Sequence, residues 1–487
     1  MSEAKKSRGY LNSGYLLKLF SGPAVALFVY FILEQLHVAG LEENAKICGA
    51  LYLGMIFWWS LQPIPWAATA LVPLVVLPIL GLMPLNAVAA MYGQPIMFFM
   101  IGMFLIGIAV DKHRLGLRVT VSLLAASWVK GSIYKLVFAF MLVTFILGGI
   151  VNQSVMVFMI PIGVSTVIRI KQECESQGIP VNAHKLGTFF ALAALYSSEA
   201  GYMTTPLGAP QNAVALALLE QTTGYTISFV QWLVPGLVLG IVLLFIGIGV
   251  IKVMFDPGIK NLPSGDYLKK RRDELGPMTA AETNVIAVLV GMILLLVIQS
   301  FIAMKGVDIF WVLIFVGIVL NLVPAGNGES LVTVKDLAKV NWNIMFLVTS
   351  GVAMAGIMKN FHLIQWGSEQ FVHVSGLALL SASAIMTVLL ANFVHGPSAA
   401  VAMLTLMLPA ALKSGINPVI VARIIPGVSL GMLFPWSGLG AALTFSSGYL
   451  SIKDMFKGGI VVTIIYIVLC VIGFATLIPL FGAYTPP

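Results

Sequence analysis

Long apolar runs separated by short polar stretches make up almost the whole chain. They lie near 20–38, 46–61, 64–83, 93–110, 135–170, 186–220, 228–254, 284–303, 308–323, 342–358, 374–413, 417–447 and 458–482. A helix needs about 20 consecutive apolar residues to cross the hydrocarbon core of a bilayer. Most of these runs are long enough, so the chain reads as an all-α, multi-pass membrane protein with roughly ten to twelve crossings. Composition agrees: 9% of residues are charged, where a soluble domain carries about a quarter. The polar, basic residues 1–18 lead directly into the first apolar run and do not resemble a cleavable signal peptide.

The net charge of +8 does not indicate a nucleic-acid partner, because the basic residues sit between apolar spans. Cys48, Cys174 and Cys470 are too far apart to suggest a disulfide framework or metal-ligand spacing, and they read as packing residues. No cofactor is expected. Sodium, as a coupling ion, is the one metal considered.

Several runs are not simple spans. The run 135–170 is too long for one straight crossing and breaks at Gly148-Gly149-Ile150-Val151-Asn152-Gln153-Ser154. The run 374–413 breaks at Asn392-Phe393-Val394-His395-Gly396-Pro397-Ser398. Each reads as a re-entrant hairpin with a polar tip at mid-depth. The runs 186–220 and 417–447 break at Thr205-Pro206-Leu207-Gly208-Ala209-Pro210-Gln211-Asn212 and Pro435-Trp436-Ser437-Gly438-Leu439-Gly440, where Pro and Gly prevent a continuous helix. Non-helical backbone at membrane depth must be satisfied by protein or water, so the four breaks are expected to meet at a cavity. There, helix N-termini favour anions and freed carbonyls favour cations.

The two halves repeat. Gly102 and Gly107 parallel Gly351 and Gly356 at the same offset, and Asn152-Gln153-Ser154 parallels Gly396-Pro397-Ser398. The hairpins run on to Pro161 and Pro409, and Gly224-Tyr225 parallels Gly448-Tyr449. Five spans plus one hairpin per half make an odd number of crossings, so the halves must be inverted, with about 11 transmembrane helices in all. The expected divisions are a cytoplasmic N-terminus (1–19), a first half (20–254, with scaffold 20–133 and hairpin plus broken helix 134–254), a cytoplasmic linker (255–283) and a second half (284–487, with scaffold 284–372 and hairpin plus broken helix 373–487). With the N-terminus inside, all of the 27 Lys and Arg except Lys46, Lys305, Lys359, Lys413 and Arg423 fall inside, and the uncharged tail 482–487 ends outside. Asp111-Lys112-His113-Arg114 and Lys269-Lys270-Arg271-Arg272 read as cytoplasmic-face anchors.

From about 45 to 480 the chain resembles the divalent anion/sodium symporter family, the INDY-like, solute carrier 13-type transporters of dicarboxylates, citrate and sulfate. The stretch from Tyr196-Ser197-Ser198-Glu199-Ala200-Gly201 to Thr205-Pro206-Leu207-Gly208-Ala209-Pro210-Gln211-Asn212 is similar to the family's glycine-rich segment ending in Gly-Thr-Pro-Pro-Asn. Gly448-Tyr449-Leu450-Ser451-Ile452-Lys453-Asp454-Met455, before the last span, is a second match. The resemblance implies a homodimeric, elevator-type transporter, with a Ser-Asn-Thr tripeptide at each hairpin tip binding substrate carboxylates and caging sodium. Here both signatures are altered: Val151-Asn152-Gln153 and His395-Gly396-Pro397 stand at the tips. The family's Gly-Thr-Pro becomes Gly208-Ala209-Pro210 and Ser437-Gly438-Leu439.

The expected substrate contacts are Asn152, Gln153, Ser154, Ala209, Pro210, His395, Gly396, Pro397, Ser398 and Gly438. The amide of Asn152 can donate to a carboxylate and accept toward a cation; the plainer reading is a tip amide that satisfies loop backbone. Ser154 and Ser398 are equally readable as helix caps. His395 can pair with an anion when protonated, or simply bond a backbone carbonyl. The expected coupling-ion residues are Asn152, Glu199, Gly208, Gly396 and Ser437. Glu199 is an acid inside an apolar helix where the family typically has Ser, and an intramembrane acid is a functional hypothesis by default. It is a candidate to carry a proton, ligate sodium or pair with His395; the alternative is an acid that reaches water at a helix break. Trp436 reads as packing rather than a cavity wall.

The sequence therefore predicts a secondary transporter of small organic anions, di- or tricarboxylates, driven by sodium, by protons or by anion exchange. Its partners are the anion, the bilayer and a second copy of the chain. A cation/proton antiporter is the nearest rival, although that chemistry wants more than one buried acid. An enzyme is disfavoured because there is no intramembrane His-Asp-Ser set, His-rich metal cluster or phosphate loop. A channel is disfavoured because paired hairpins suit alternating access.

Overall fold

The computed structural model describes residues 13–37, 40–262, 266–302, 306–326, 328–371, 374 and 376–481. Among these residues the fold is helical apart from one isolated bridge between Pro324 and Ser330. Nine helical stretches are long and apolar enough to cross a membrane, and four shorter apolar helices accompany them, again among the described residues. The protein is an integral, multi-pass membrane protein.

The first half opens with α1 (Ser13–Gln35), α2 (Glu43–Leu61) and the short α3 (Trp66–Ala70), α4 (Val72–Ile79) and α5 (Leu85–Tyr92). Next come α6 (Pro95–Lys112), α7 (Leu115–Leu124), α8 (Ile133–Val151), α9 (Val155–Ser176), α10 (Ala183–Tyr202), α11 (Pro210–Thr223) and α12 (Phe229–Met254). A short helix α13 (Asp266–Glu274) lies between the halves. The second half holds α14 (Ala280–Phe301), α15 (Ile309–Leu322), α16 (Trp342–Asn360), α17 (Leu363–Glu369), α18 (Gly376–Val394) and α19 (Gly396–Lys413). It ends with α20 (Pro418–Val428), α21 (Leu439–Ser446) and α22 (Ile452–Leu480).

Left-handed backbone ends a helix, because the next residue cannot continue the hydrogen-bond ladder. Such residues recur in matched order. Arg114 (φ 55°) and His362 (φ 59°) precede α7 and α17, and Asn152 (φ 55°) and His395 (φ 82°) sit between the helices of each hairpin. Gly178 (φ 69°) and Gly415 (φ 68°) follow the hairpins, and Gly224 (φ 71°) and Gly448 (φ 78°) follow the second piece of each broken helix. The repeat seen in sequence is thus a repeat of backbone reversals.

The two hairpins enter from opposite ends. Phe140 of α8 lies against Gly163 of α9, so the first hairpin folds back on itself. Its base abuts the segment between the halves: Ile133 N donates to Lys260 O (3.1 Å), and Lys185, at the start of α10, pairs with Asp256 (3.2 Å). The second hairpin has its base at the other end. There Gly376 meets Ile416, and Lys413 reaches Glu369 (3.1 Å) and the carbonyl of Gln365 (3.1 Å). Lys359 donates to Gln221 O (2.9 Å) near the end of α11, which marks the same side.

Charged groups clamp the end nearest α13. Lys112 and Lys339 both lie 2.8 Å from the buried carboxylate of Asp336, and Thr333 N and Oγ1 donate to it at 2.9 and 3.0 Å. Burial pushes the Asp336 pKa up, but the two ammonium groups and two hydrogen bonds outweigh it and hold the pKa well below the usual carboxylate range. Arg118 pairs with Glu282 at 2.6 Å and also donates to the carbonyls of Leu275 and Gly276. The segment 255–283 is therefore more than a polar linker: it contains α13, with Leu268 buried.

One of the charges counted on the outer side, Arg423, is not at a surface: it is inside α20 and 2% exposed. Residues 1–12 of the expected cytoplasmic N-terminus, Lys305 and the tail 482–487 lie outside the described residues.

Candidate functional site

The first hairpin tip is built by Asn152. Its backbone (φ 55°, ψ −154°) lies in a region that side chains rarely adopt, at a cost of order 1–3 kcal/mol, and such strain collects at functional positions. The Asn152 Oδ1 accepts from Ser154 N and Ser154 Oγ, both at 3.1 Å, so this carbonyl shapes the turn. Its amide nitrogen is buried without a partner, as is Gln153 Oε1. Ser154 is the partly exposed member of the tip.

The first broken helix stops at Tyr202, and four carbonyls at the break, those of Gly201, Tyr202, Met203 and Thr205, are taken by donors. Thr204 N and Oγ1 donate to Gly201 O (3.0 and 2.7 Å). Asn212 Nδ2 bridges Tyr202 O (2.7 Å) and Thr205 O (2.8 Å), and Arg423 Nη2 donates to Met203 O (3.3 Å). Thr205 Oγ1 donates to Gly149 O, tying the break to the first hairpin. Gly208 lies so close to the Tyr202 carbonyl that no Cβ fits there. Ala209 is extended, and Pro210 opens α11, where its missing N–H costs nothing. Gln211, with Oε1 unpartnered, points its Nε2 toward Gly396 and so links this break to the second tip.

The second tip is His395-Gly396-Pro397-Ser398. His395 has φ 82° and ψ 135°, again rare for a side-chain-bearing residue. Its ring centroid is 4.6 Å from that of Trp66, and its Nδ1 is buried without a partner. Gly396 packs on the Ser429 carbonyl, Pro397 lies in the first turn of α19, and Ser398 Oγ is buried and unpartnered. The second break spans 429–438, beginning earlier than the Pro-Gly cluster suggested, because α20 already ends at Val428. Ser437 Oγ is turned onto Phe434 O (2.5 Å), so it serves its own loop. Gly438 is extended and precedes α21 with open space where a Cβ would stand. Trp436 stacks on Phe434 (4.8 Å) but is 57% exposed, which makes the packing reading only half right.

Glu199 lies one turn before the end of α10 and is 3% exposed, with Oε2 unpartnered. Its Oε1 is 3.5 Å from where a Gly440 Cβ would be, which places the carboxyl beside the first turn of α21. The hydroxyls of Tyr196, Tyr202 and Tyr466 are also buried without partners, and Tyr202 and Tyr466 share its surroundings. Glu199 and His395 form no ion pair, so of the three candidate roles of Glu199 the pairing is not made; His395 packs on Trp66 instead.

The first tip, the first break, Glu199 and α21 thus form one cluster. The second tip, Gln211 and Ser429 form another, joined to the first through α11. Carboxyl, amide, hydroxyl and carbonyl oxygens suit a hard cation; free amide groups and helix N-termini suit an anion. Sequence reasoning missed Trp66, Gln211, Arg423 and the three tyrosines. Arg423 had a signal: a charge inside the apolar run 417–447. Tyr196 and Tyr202 had one too, since they flank Glu199 at three residues on either side of the same helix; Trp66 and Tyr466 had none, since His395 and Glu199 are remote from them in sequence.

The sequence profile described as the sodium:sulfate symporter transmembrane region matches residues 16–482. Similar proteins include the sodium-dependent dicarboxylate transporter SdcS of Staphylococcus saprophyticus, 27% identical over 98% of this chain and 94% of that protein. SdcS of Staphylococcus aureus (strain USA300) is 27% identical over 97% of this chain and 92% of that protein. The crystal structure of the Alcanivorax borkumensis YdaH transporter is similar in fold, with a TM-score of 0.52, 12% identity, and coverage of 84% of this chain and 89% of that one. With the profile spanning nearly its whole length, this chain belongs to the sodium:sulfate symporter transmembrane region family, whose members are membrane transporters rather than enzymes.

Proposed function

We propose that this protein is a secondary active transporter of small organic anions, di- or tricarboxylates, coupled to a cation gradient. The observation that carries the reading is the pair of hairpins entering from opposite ends, each with a strained tip and unpartnered buried polar atoms: Asn152 Nδ2 and Gln153 Oε1, and His395 Nδ1 and Ser398 Oγ. Polar atoms buried without partners are costly, and a carboxylate and its counter-cation together satisfy donors and acceptors of this kind. The names of the SdcS relatives support a dicarboxylate as substrate and sodium as coupling ion.

In this reading the substrate lies between the tips, near the N-termini of α11 and α21. The hairpins and broken helices slide as one unit against a scaffold, in a homodimer of chains with about 11 crossings each, N-terminus cytoplasmic and C-terminus outside. A cavity of about 510 Å³ beside the first hairpin lies on the α13 side; Arg114 and Arg271 outnumber Asp111 in its lining, with Ser165 beside them, which suits anion entry from the cytoplasm. Glu199 binds the coupling cation, sodium or a proton.

The test uses purified protein in proteoliposomes with radiolabelled succinate. Wild type accumulates succinate under an inward cation gradient and performs succinate counterflow. Glu199→Gln keeps counterflow but loses gradient-driven accumulation. Sodium-driven proton flux from wild type without any organic anion, and no succinate flux in either mode, would instead identify a cation/proton antiporter.

A further inference from the structure

Arg423 is the most unusual charge in the described structure. It is 2% exposed and has no carboxylate partner among the described residues. Its guanidinium carbon lies 3.8 Å from the ring centroid of Trp232 and 4.7 Å from that of Phe474. Its Nη2 donates to Met203 O at 3.3 Å, and its Nε has no acceptor. Gly236 of α12 is what lets it in. A Cβ there would stand 2.5 Å from Nη2 and 2.7 Å from Met203 O, so a larger residue would split this contact.

A buried cation without a counter-ion is expensive. Two aromatic faces recover part of the cost. What remains is the partner it does have, the carboxyl end of α10. A helix C-terminus carries about half a negative charge, and α10 ends inside the protein, beside the break where the anion is proposed to bind. The carbonyls of Gly201, Tyr202 and Thr205 there take only uncharged donors, from Met203, Thr204, Asn212 and Gly208. An unneutralised helix end would repel an anion nearby, and strongly so in a medium of low dielectric.

We propose that Arg423 is a tethered cation that neutralises the carboxyl end of α10, so that the protein itself supplies one of the positive charges an anion needs at this break. Arg423 is a positioning residue in this scheme; it acts on the anion through the helix end. The inference rests on the anion-transport reading above, and it implies that one fewer dissolved cation is needed there.

Two measurements test it. The first needs no organic anion. Thermal unfolding of wild type, Arg423→Met and Arg423→Ala is followed in sodium chloride and in choline chloride. Met fills the space between Trp232 and Phe474 without a charge, and exchanging a buried charge for a well-packed apolar group is often neutral or stabilising; Arg423→Met is therefore at least as stable as wild type. Arg423→Ala opens room for an ion at Met203 O, so sodium raises its Tm over choline by more than in wild type. An equal sodium effect in all three proteins overturns the proposal. The second is succinate uptake. Arg423→Met raises KM by about tenfold, and Arg423→Lys recovers most of that loss. A stable Arg423→Met with unchanged KM overturns the proposal as well. If wild type takes up no succinate, the dicarboxylate reading fails, while the sodium effect on Tm still decides the role of Arg423.

Discussion

The imidazole of His395 packs against the indole of Trp66, with ring centroids 4.6 Å apart. His395 is the left-handed residue at the tip of the second hairpin, whereas Trp66 opens the short helix α3 more than 300 positions earlier. The contact therefore joins a proposed moving part to a proposed fixed one. Aromatic pairs of this kind contribute about 0.5–1.5 kcal/mol beyond the area they bury.

A double-mutant cycle reads that contact. His395→Ala and Trp66→Ala each slow succinate uptake, and the double variant is no slower than the worse single one. The expected coupling is about 1 kcal/mol. Strictly additive losses would mean that the two rings act independently.

Asn152 has two separable jobs. Asn152→Asp keeps an oxygen for Ser154 N and tolerates the positive φ, so the turn survives, although the buried carboxylate lowers Tm. It also replaces the free amide donor with a negative charge, and succinate binding, followed by thermal shift, is abolished. Asn152→Ala loses both the turn bonds and the donor. Its affinity falls about tenfold and its stability by about 1 kcal/mol. If Asn152→Asp retains a succinate-induced shift, the amide is not a substrate contact.

Two glycines at the breaks separate backbone need from site chemistry. Gly208→Ala forces a methyl onto the Tyr202 carbonyl, and its protein yield and Tm both drop. Gly438→Ala meets open space on extended backbone, so its stability stays within about 0.5 kcal/mol of wild type. A change in succinate KM in Gly438→Ala then reports on the site alone.

Asp336 makes stability depend on acid. Its pKa is lowered in the folded protein, so the stabilisation is fully present above the unfolded value of about 3.9 and is lost as pH falls toward the folded value. Asp336→Asn removes about 2 kcal/mol at neutral pH, because the Lys112 and Lys339 contacts lose their charge partner. The Tm gap between wild type and variant narrows on going from pH 6 to about pH 3. A gap that stays constant across that range would contradict the assigned cause.

Apolar runs, matched breaks and charge placement determined the membrane class, the repeat, the first tip at Asn152 and the buried acid Glu199. Those features are local: run length sets whether a helix can span, and Gly, Pro and Asn set where it stops. The sequence was less able to place the second break, because α20 ends at Val428, ahead of the Pro-Gly cluster beyond it. Only the tertiary structure decided which polar atoms have partners. Ser437 looked like a ligand, yet its hydroxyl is spent on Phe434 O. A pair of Glu199 and His395 was one candidate, yet Glu199 lies beside Gly440 of α21 and His395 packs on Trp66. Arg423 counted only as a charge on the outer side, yet it lies between Trp232 and Phe474 against the end of α10. Hydrogen bonds and charges act over a few ångströms between helices far apart in the chain, and that proximity is set by packing, which the order of residues does not display.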